Sequence, residues 1–389
     1  MEKIGIMGGT FNPIHNGHLA SAVEVSRQLG LDKIIFIPAG RPAFKDNGQT
    51  ASAFHRYAMC ALAIQPHPQF CISPIEVEKS GISYTFETLQ KLKVMHPLCK
   101  FFFIAGADII KNFHKWRNSD EILKICQMVI TSRPGSPLVL EGSLKSAIQI
   151  SIADIDISST MVRESLSSGK PIDTFVPVSV ADYIKVQGLY SHIWTITNRL
   201  KGAQSVRLYD HSVSVAATAL MYGKHHGLDD VILNKLHIAG LLHDCAKEYC
   251  NWLSVTQLES LFVENGLDAA DVFLRENIPL AHGFVGAIIA RRDYKILDSD
   301  ILEAIKCHTF GRVGMTLIDK LLFVADYTEP LRPQSIDISM AATIAMEDLD
   351  KAVMHILKAK IEKNRAKGRQ IYSQTLNALK DLEEKNAIK

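Results

Sequence analysis

The sequence predicts a two-domain protein whose first half is an α/β domain and whose second half is all-α. Its length of 389 residues exceeds what a single core usually organises. Over residues 1–190, short apolar runs alternate with helical patterns, which is typical of a parallel sheet with helices on both faces. After a boundary within residues 187–205 the strand patterns stop. Residues 195–389 are therefore predicted to form a separate helical domain.

The individual elements follow from the periodicity of apolar residues. The predicted strands are residues 4–7, 34–37, 70–77, 101–105, 128–131 and 152–157. The predicted helices of the first half are residues 19–29, 53–64, 84–95, a segment after Ser159, and 178–190. Those of the second half are residues 205–225, 231–245, 281–292, 298–308, 314–327 and 347–367.

Composition limits the class of protein. A net charge of +2 gives no general attraction to nucleic acid or to a membrane surface. No apolar run is long enough to span a bilayer, and the chain begins directly with a strand, so no signal peptide is expected. Seven cysteines without a Cys-x-x-Cys pair suit a reducing compartment. We expect a cytoplasmic protein without a nucleic-acid or membrane partner.

One basic segment could suggest otherwise. Residues 358–369 carry several lysines and arginines within a predicted amphipathic helix. No aromatic residues alternate with them, as they would in a surface that stacks bases. We interpret the segment as the solvated face of that helix.

The first predicted strand leads into Gly-Gly-Thr-Phe-Asn-Pro-Ile-His-Asn-Gly-His, residues 8–18. Glycines let the backbone approach an anion, and the helix that follows offers unpaired N–H groups at its N-terminus. The imidazoles of His15 and His18 add hydrogen-bond donors at the same turn. The pattern is neither the dinucleotide-binding glycine motif nor a Walker loop. We expect a phosphate site rather than an ordinary tight turn.

Polar residues also follow three later strands. In Gly106-Ala107-Asp108, the aspartate has the spacing of a ribose acceptor and equally that of a helix N-cap. Residues 132–135, Ser-Arg-Pro-Gly, have the composition of a turn. Residues 157–163 combine hydroxyls at a helix start with Arg163, which suits either an anion site or simple capping. Ligands of parallel sheets bind at the carboxyl ends of strands, where the glycine turn is also predicted to lie.

Together these motifs resemble the bacterial nicotinate-nucleotide adenylyltransferases, nucleotidyltransferases with a His-x-Gly-His motif. The resemblance covers residues 1 to about 190. Besides the motifs above, it rests on residues 83–89, Ser-Tyr-Thr-Phe-Glu-Thr-Leu, and on Lys115-Trp116. It implies a Rossmann-like domain that transfers an adenylyl group from ATP to nicotinate mononucleotide. The products would be pyrophosphate and nicotinate adenine dinucleotide, a step of NAD biosynthesis. Pantetheine-phosphate adenylyltransferases and cytidylyltransferases share His-x-Gly-His, but the Tyr-Thr and Lys-Trp elements disfavour them.

The resemblance also implies residue roles. The catalytic His15 and His18 would bind the ATP phosphates, with Mg²⁺ bridging those phosphates. The other nucleotide-binding residues would be Gly8, Gly9, Thr10, Lys45, Gly106, Asp108, Ser159, Thr160 and Arg163. The nicotinate nucleotide would be contacted by Tyr84, Thr85 and Trp116. Asn12 stands where the family usually has aspartate, and we expect little change from it. Phe44 replaces a loop histidine, which leaves the role of that loop open.

The second half holds nine of the 15 histidines, and four of these stand out by context. His243-Asp244 ends an apolar run, and Asp326 lies inside another. Buried ionised carboxylates need a partner or a metal. Four imidazoles with two carboxylates suit a pair of Fe or Mn ions better than one tetrahedral zinc. The predicted ligands are His211, His243, Asp244, His282, His308 and Asp326.

The surroundings of these six residues resemble the bacterial HD-superfamily symmetrical diadenosine tetraphosphate hydrolases. The resemblance covers about 195–375 and rests on residues 207–212, 243–247, 282–287, 308–315 and 324–330. It implies a di-metal centre, with Fe or else Mn, that hydrolyses diadenosine tetraphosphate to two ADP. Lys247 and Arg312 would be catalytic residues that stabilise phosphate charge.

The whole chain is thus predicted to be a bifunctional enzyme. The alternatives are an HD domain that senses nucleotides or oligomerises, an HD domain acting on another nucleotide, and a first domain with another acceptor. The sequence leaves a homo-oligomer open.

Overall fold

The computed structural model describes residues 1–41, 50–132, 140–152, 156–266, 277–333 and 335–387. The chain divides into two compact units, Met1–Thr195 and Ile196–Lys389. The first unit is a parallel α/β structure, and the described part of the second is helical. The predicted fold class is confirmed.

The first unit is built on a six-stranded parallel sheet of order β3-β2-β1-β4-β5-β6. Its strands are β1 Lys3–Gly9, β2 Lys33–Pro38, β3 Phe70–Ile72, β4 Lys100–Gly106, β5 Cys126–Ser132 and β6 Ile148–Ser151. Successive strand residues point to opposite faces. Ile34 and Phe36 accordingly lie in one apolar core, whereas Ile35 and Ile37 lie in the other. Both faces of the sheet are buried.

Helices alternate with these strands. The α-helices are α1 Asn16–Leu29, α2 Ala53–Ile64, α3 Thr85–Met95, α4 Ser119–Ile125, α5 Ser159–Ser167 and α6 Val178–Val186. Two 3₁₀ helices span Ala107–Lys115 and Gly142–Leu144, and α7 spans His192–Ala203.

The order of the strands positions the predicted nucleotide site. β1 lies between β2 and β4, and Ile6 pairs in register with Phe103. The chain therefore adds β2 and β3 on one side of the β1–β4 pair and β5 and β6 on the other. The position between β1 and β4 is thus a topological switch point. The segments that follow β1 and β4 leave the sheet side by side at its carboxyl edge.

Two predicted strands are wrong in their extent. β3 ends at Ile72 rather than at residue 77, because Pro74 has no N–H to donate to the ladder. The last strand is Ile148–Ser151, paired with β5, rather than residues 152–157, of which 153–155 lie outside the described residues. The alternation of Ile148, Gln149, Ile150 and Ser151 is itself a strand pattern, and the register with β5 uses it.

The second unit consists of helices in the described residues. They are α8 Val206–His225, α9 Asp230–Leu242, α10 Lys247–Cys250, α11 Val255–Glu264, α12 His282–Tyr294, α13 Ser299–Cys307, α14 Leu317–Thr328, α15 Ile336–Glu347, α16 Leu349–Ala366 and α17 Ser373–Ala387. Helices α8, α9, α12, α13, α14 and α16 were predicted to within a few residues, and α10, α11, α15 and α17 were not.

Helix α14 is the most deeply buried part of this unit. Its residues 321–325 are fully buried, which places Asp326 at the end of an apolar run inside the unit. A search of the described helices found none with both the length and the apolarity to cross a bilayer.

Candidate functional sites

The glycine turn runs from the end of β1 at Gly9 to the start of α1 at Asn16. The backbone N–H of His15 donates to Nδ1 of His18 over 3.2 Å, and the two ring centroids lie 3.7 Å apart. Since Nδ1 of His18 accepts, a neutral His18 ring carries its proton on Nε2 and can donate from there. Burial lowers the pKa of His15 to about 4. Burial and then the charge of His15 lower the pKa of His18 to about 3. Both rings are neutral donors at physiological pH.

Gly17 leaves room for the His15 ring. A Cβ at this position would lie 3.0 Å from Nδ1 of His15 and 3.1 Å from its Cε1. These are tight contacts, so a side chain here would require a small shift of the His15 ring.

Arg56, a buried arginine that was not predicted from the sequence, stabilises the glycine turn through hydrogen bonds to backbone carbonyls. The guanidinium of Arg56 donates to the carbonyl oxygens of Thr10 (2.7 Å), Gly40 (2.7 Å) and Ala51 (2.9 Å). Arg56 is only 1% exposed. It therefore ties the glycine turn to the segment after β2 and to the start of α2. The sequence contained one indication of this role, which is the position of an arginine within the mainly apolar helix pattern of residues 53–64.

The side chain of Asn12 also joins the turn to distant segments by hydrogen bonds. Its Oδ1 accepts from the Tyr190 hydroxyl (2.8 Å) and from the backbone N–H of Ala51 (2.9 Å). An aspartate could accept the same two bonds. The geometry thus agrees with the expectation that asparagine changes little here.

The start of α5 packs on the other side of the turn. The Ser159 hydroxyl donates to the carbonyl of Pro13 (2.8 Å), and Arg163 donates to the carbonyl of Asn12 (2.8 Å) and to the Thr160 hydroxyl (3.2 Å). The structure therefore brings Ser159, Thr160 and Arg163 together with the glycine turn, although the two segments are some 150 residues apart in sequence. Ser158 caps α5 by accepting from the N–H of Met161.

The other predicted nucleotide residues are distributed around this edge. Gly8 and Gly9 end β1, Thr10 follows them, and Gly106 ends the neighbouring β4. Lys45 lies outside the described residues, as does the side chain of Asp108.

The predicted nicotinate residues lie at the start of α3 and after the first 3₁₀ helix. Tyr84 occupies the N-cap position of α3 without a capping bond from its side chain, and Thr85 is the first residue of the helix. The Arg117 guanidinium stacks over the Tyr84 ring at 4.8 Å, while its neighbour Trp116 packs edge-on against Phe103 at 5.9 Å. Arg117 thus links the Trp116 segment to Tyr84.

A cluster of imidazoles and carboxylates lies in the second unit, centred on Asp244. Its Oδ2 lies 3.4 Å from Nε2 of both His211 and His243. Its Oδ1 lies 3.1 Å from Nε2 of His282 and 3.6 Å from that of His308. The two oxygens of one carboxylate therefore face two different pairs of histidines.

Asp326 completes the cluster on one side. Its Oδ1 lies 3.3 Å from Nε2 of His211 and 3.7 Å from that of His243. The structure brings together all six predicted ligands, which come from α8, α12, α14 and the C-terminal ends of α9 and α13.

The outer nitrogens of three rings determine how these rings are oriented. Nδ1 of His243 donates to the carbonyl of Gly240 (2.7 Å), and Nδ1 of His308 donates to that of Ile305 (2.6 Å). Nδ1 of His211 contacts the Glu329 carboxylate at 3.0 Å. With their protons on Nδ1, neutral His243 and His308 direct the lone pair of Nε2 into the cluster, as metal-ligating histidines do.

The electrostatics of the cluster keep its carboxylates ionised. Burial opposes ionisation of Asp244 and Asp326, but the surrounding histidines, with Arg332 beside Asp326, hold the pKa of each well below its usual range. Burial alone would lower the pKa of His211, but hydrogen bonds to Asp244, Asp326 and Glu329 raise it to about 9.

The donor set fits divalent metal ions. Asp244 Oδ1 is buried and has no hydrogen-bond partner among the described residues. The Nε2 atoms of His211 and His243 lie 3.3 Å apart, and those of His282 and His308 lie 3.2 Å apart. Acceptor atoms gathered at such distances are suited to binding cations between them.

Four further residues near the cluster were missed from the sequence. They are Thr309, Glu329, Arg332 and Lys360. Lys360 corrects the interpretation of residues 358–369 as a solvated face. Its Nζ lies 4.2 Å from the centroid of the Phe323 ring and donates to the carbonyl of Thr309, and burial lowers its pKa to about 8.

The two predicted catalytic cations are placed differently. Nζ of Lys247 lies 2.6 Å from Oδ2 of Asp244. Arg312 instead lies 2.6 Å from Oδ2 of Asp319, which is fully buried, and it lines a separate cavity of about 290 Å³. The described contacts of Arg312 are those of a structural ion pair.

We therefore expect Arg312→Gln to destabilise the second unit by about 2–3 kcal/mol, because it leaves a buried carboxylate unpaired. Denaturant unfolding of the full chain measures this change. Arg292→Gln removes a more exposed ion pair with Asp293 and should cost less than about 1 kcal/mol. Unchanged stability together with slower phosphate hydrolysis would instead support the catalytic role expected from the sequence.

Comparisons with known proteins divide the chain in the same way. Residues 6–165 match the cytidylyltransferase-like family model, and residues 208–331 match the HD domain model. The nicotinate-nucleotide adenylyltransferase of Bacillus subtilis is 44% identical over 190 residues, which are 49% of this chain and 99% of that protein. A probable nicotinate-nucleotide adenylyltransferase of Dehalococcoides mccartyi is 43% identical and covers 48% of this chain and 97% of its own.

A solved structure from Clostridium acetobutylicum is also similar to half of the chain. It is described as a predicted HD superfamily hydrolase involved in NAD metabolism. It is 32% identical with a TM-score of 0.45, covering 49% of this chain and 96% of that one. From the Bacillus and Dehalococcoides relatives and the HD match, the chain belongs to the nicotinate-nucleotide adenylyltransferase family through its first unit and carries an HD domain in its second.

Proposed function

We propose that the first unit transfers an adenylyl group from ATP to nicotinate mononucleotide, forming nicotinate adenine dinucleotide and pyrophosphate. The observation that carries this proposal is the 44% identity to the Bacillus subtilis enzyme over nearly all of that enzyme's length. The site supports it because neutral histidine donors, hydroxyls and an arginine surround a glycine turn at the switch point of the sheet.

In this reaction the residues act by positioning and by charge stabilisation. Nε2 of His18 would donate to phosphate oxygens, and Arg163 with Thr160 would bind the phosphate chain from the α5 side. Tyr84, Thr85 and Trp116 would bind the nicotinate nucleotide. Mg²⁺ would accompany the ATP phosphates and neutralise part of their charge.

A product assay tests this proposal directly. The full chain is incubated with ATP and one acceptor in each of three parallel samples. The acceptors are nicotinate mononucleotide, nicotinamide mononucleotide and phosphopantetheine. We expect kcat/KM for the nicotinate nucleotide to be at least about tenfold higher than for either alternative, because a site built to bind a specific polar group discriminates against acceptors that lack it. Faster turnover of another acceptor would overturn the assignment.

For the second unit we propose metal-dependent hydrolysis of diadenosine tetraphosphate to two ADP. It is supported by the six side chains around Asp244 and by the adjacent cavity of about 770 Å³, which is large enough for a nucleotide. Two divalent ions, Fe or Mn, would be held by these side chains. Bound ions of this kind polarise phosphoryl oxygens and activate water.

The residues around the cluster would do the remaining work. The outer hydrogen bonds of His211, His243 and His308 hold the ring nitrogens in place for the ions. Lys247, which also lines the cavity, would stabilise the charge of the phosphates.

The competing view is that the HD domain only senses nucleotides or mediates assembly. Metal analysis of the purified full chain and assays with diadenosine tetraphosphate separate the two. We expect about two metal ions per chain and ADP as the product. A chain without metal and without turnover would support the sensing role, and turnover of another nucleotide alone would change the substrate.

A further inference from the structure

Arg332 joins the cavity of the second unit to the metal-ligand cluster. Its guanidinium donates to both the backbone carbonyl and the carboxylate of Asp326, the latter over 2.5 Å. Arg332 also lines the 770 Å³ cavity, together with Lys247 and His211.

Lys247 and Arg332 have corresponding positions beside the cluster. Each contacts one of the two carboxylates of the cluster, Lys247 at Asp244 and Arg332 at Asp326. Each still keeps a substantial exposed fraction of its side chain, 44% for Lys247 and 34% for Arg332. Both cations can therefore meet a ligand in the cavity while they remain beside the cluster.

The chemistry of the two cations suits a phosphate chain. A guanidinium binds phosphate oxygens through two parallel hydrogen bonds, whereas an ammonium acts as a point charge. The oxygens that they contact, Oδ2 of Asp244 and Oδ1 of Asp326, face the same pair of histidines, so the two charged donors would bind phosphates on that side of the cluster. A third cation, Lys360, donates to the carbonyl of Thr309 and packs on Phe323, so it supports the cluster from the interior. Arg207 also lines the cavity, but in the described residues the ion pairs of the cluster carboxylates are with Lys247 and Arg332.

The environment of Arg312 differs from that of Arg332. Arg312 pairs with the buried Asp319, and its cavity, lined also by Lys306 and Cys307, includes none of the six cluster residues. Arg332, by contrast, both lines the cavity and contacts a carboxylate of the cluster.

We propose that Arg332 is a catalytic residue of the HD domain that binds the phosphate chain of a nucleoside polyphosphate, in the role that the sequence resemblance assigned to Arg312. This inference rests on the proposed hydrolase function of the second unit. It adds the residue that binds the phosphates beside Asp326.

The test uses the full chain with its metal and three variants, Arg332→Gln, Arg332→Lys and the surface control Arg292→Gln. Calorimetry measures ADP binding, which requires no turnover, after the first unit has been saturated with nicotinate adenine dinucleotide, its proposed product, so that the titration reports on the second unit. Metal analysis and thermal unfolding are run on the same samples. For Arg332→Gln we expect ADP affinity to fall about ten- to a hundredfold, with unchanged metal content, because a charge-assisted contact is lost. Arg332→Lys should recover part of this affinity, and Arg292→Gln should match the wild type.

The outcomes separate this role from a structural one and from the proposed activity. Unchanged ADP affinity in Arg332→Gln, or loss of the metal from it, would overturn the inference, since Arg332 would then only support Asp326. If the wild type does not hydrolyse diadenosine tetraphosphate but Arg332→Gln still weakens ADP binding, the proposed substrate is wrong and the phosphate-binding role stands.

Discussion

Asp244→Asn is expected to abolish phosphate hydrolysis by the second unit and to leave adenylyl transfer by the first unit intact. Asparagine keeps the size of the side chain but removes the charge and one of the two acceptor oxygens that face the histidine pairs. Loss of a residue that merely orients a metal ligand typically costs ten- to a hundredfold. Removal of the carboxylate between both pairs should lower turnover of diadenosine tetraphosphate by at least about a hundredfold.

Each activity of the chain serves as the internal control for the other. Metal content is measured alongside the two rates, and we expect it to fall in Asp244→Asn. Asp300→Asn, which changes a more exposed carboxylate of the same unit paired with Lys235, should keep both activities. Hydrolysis that survives in Asp244→Asn would contradict the assignment of the cluster, and loss of both activities would indicate misfolding or coupled sites.

Most of the fold could be predicted because each element carries its own local signal. β2 and β4 are short runs of buried apolar residues, and α2 was predicted with the bounds that the structure shows, Ala53–Ile64. The last strand was misplaced because two neighbouring segments both alternate in polarity, and only pairing with β5 selects Ile148–Ser151.

The six cluster residues could be predicted because histidines and aspartates are conspicuous in apolar surroundings. His243-Asp244 follows the buried end of α9, and Asp326 follows the buried core of α14. Such residues are unusual inside a protein unless they bind something, so each one draws attention by itself.

The supporting cations could not be predicted, because their roles depend on contacts between distant segments. Arg56 supports Thr10 from 46 residues away, and Lys360 reaches the carbonyl of Thr309 from 51 residues away. In the sequence, a lysine on an amphipathic helix, such as Lys360, has the pattern of a solvated residue. Arg56 differs only in lying within a mainly apolar helix pattern, which does not identify its partners. Arg312 illustrates the same dependence, since this residue lies four positions after His308 in the chain but has its ion pair with Asp319.

His18→Asn and His18→Gln are expected to affect adenylyl transfer very differently. The amide oxygen of asparagine can replace Nδ1, which accepts from the N–H of His15, but it leaves nothing at the position of Nε2. The amide nitrogen of glutamine can reach the Nε2 position and donate from there. If Nε2 of His18 donates to a phosphate in the transition state, His18→Asn should lower kcat about 10²–10³-fold. His18→Gln should retain at least about ten times more activity than His18→Asn.

Measuring kcat and KM for ATP with thermal unfolding of the same samples distinguishes a chemical role from a structural one. Because His18→Asn preserves the hydrogen bond at the start of α1, we expect its unfolding temperature to stay close to that of the wild type. His96→Ala is the matched control, since His96 follows α3 just before β4 begins, at the opposite end of that strand from Gly106. It should retain normal kcat. Equal losses in the two His18 variants would show that the ring acts through packing against His15, and normal kcat in both would remove His18 from the mechanism.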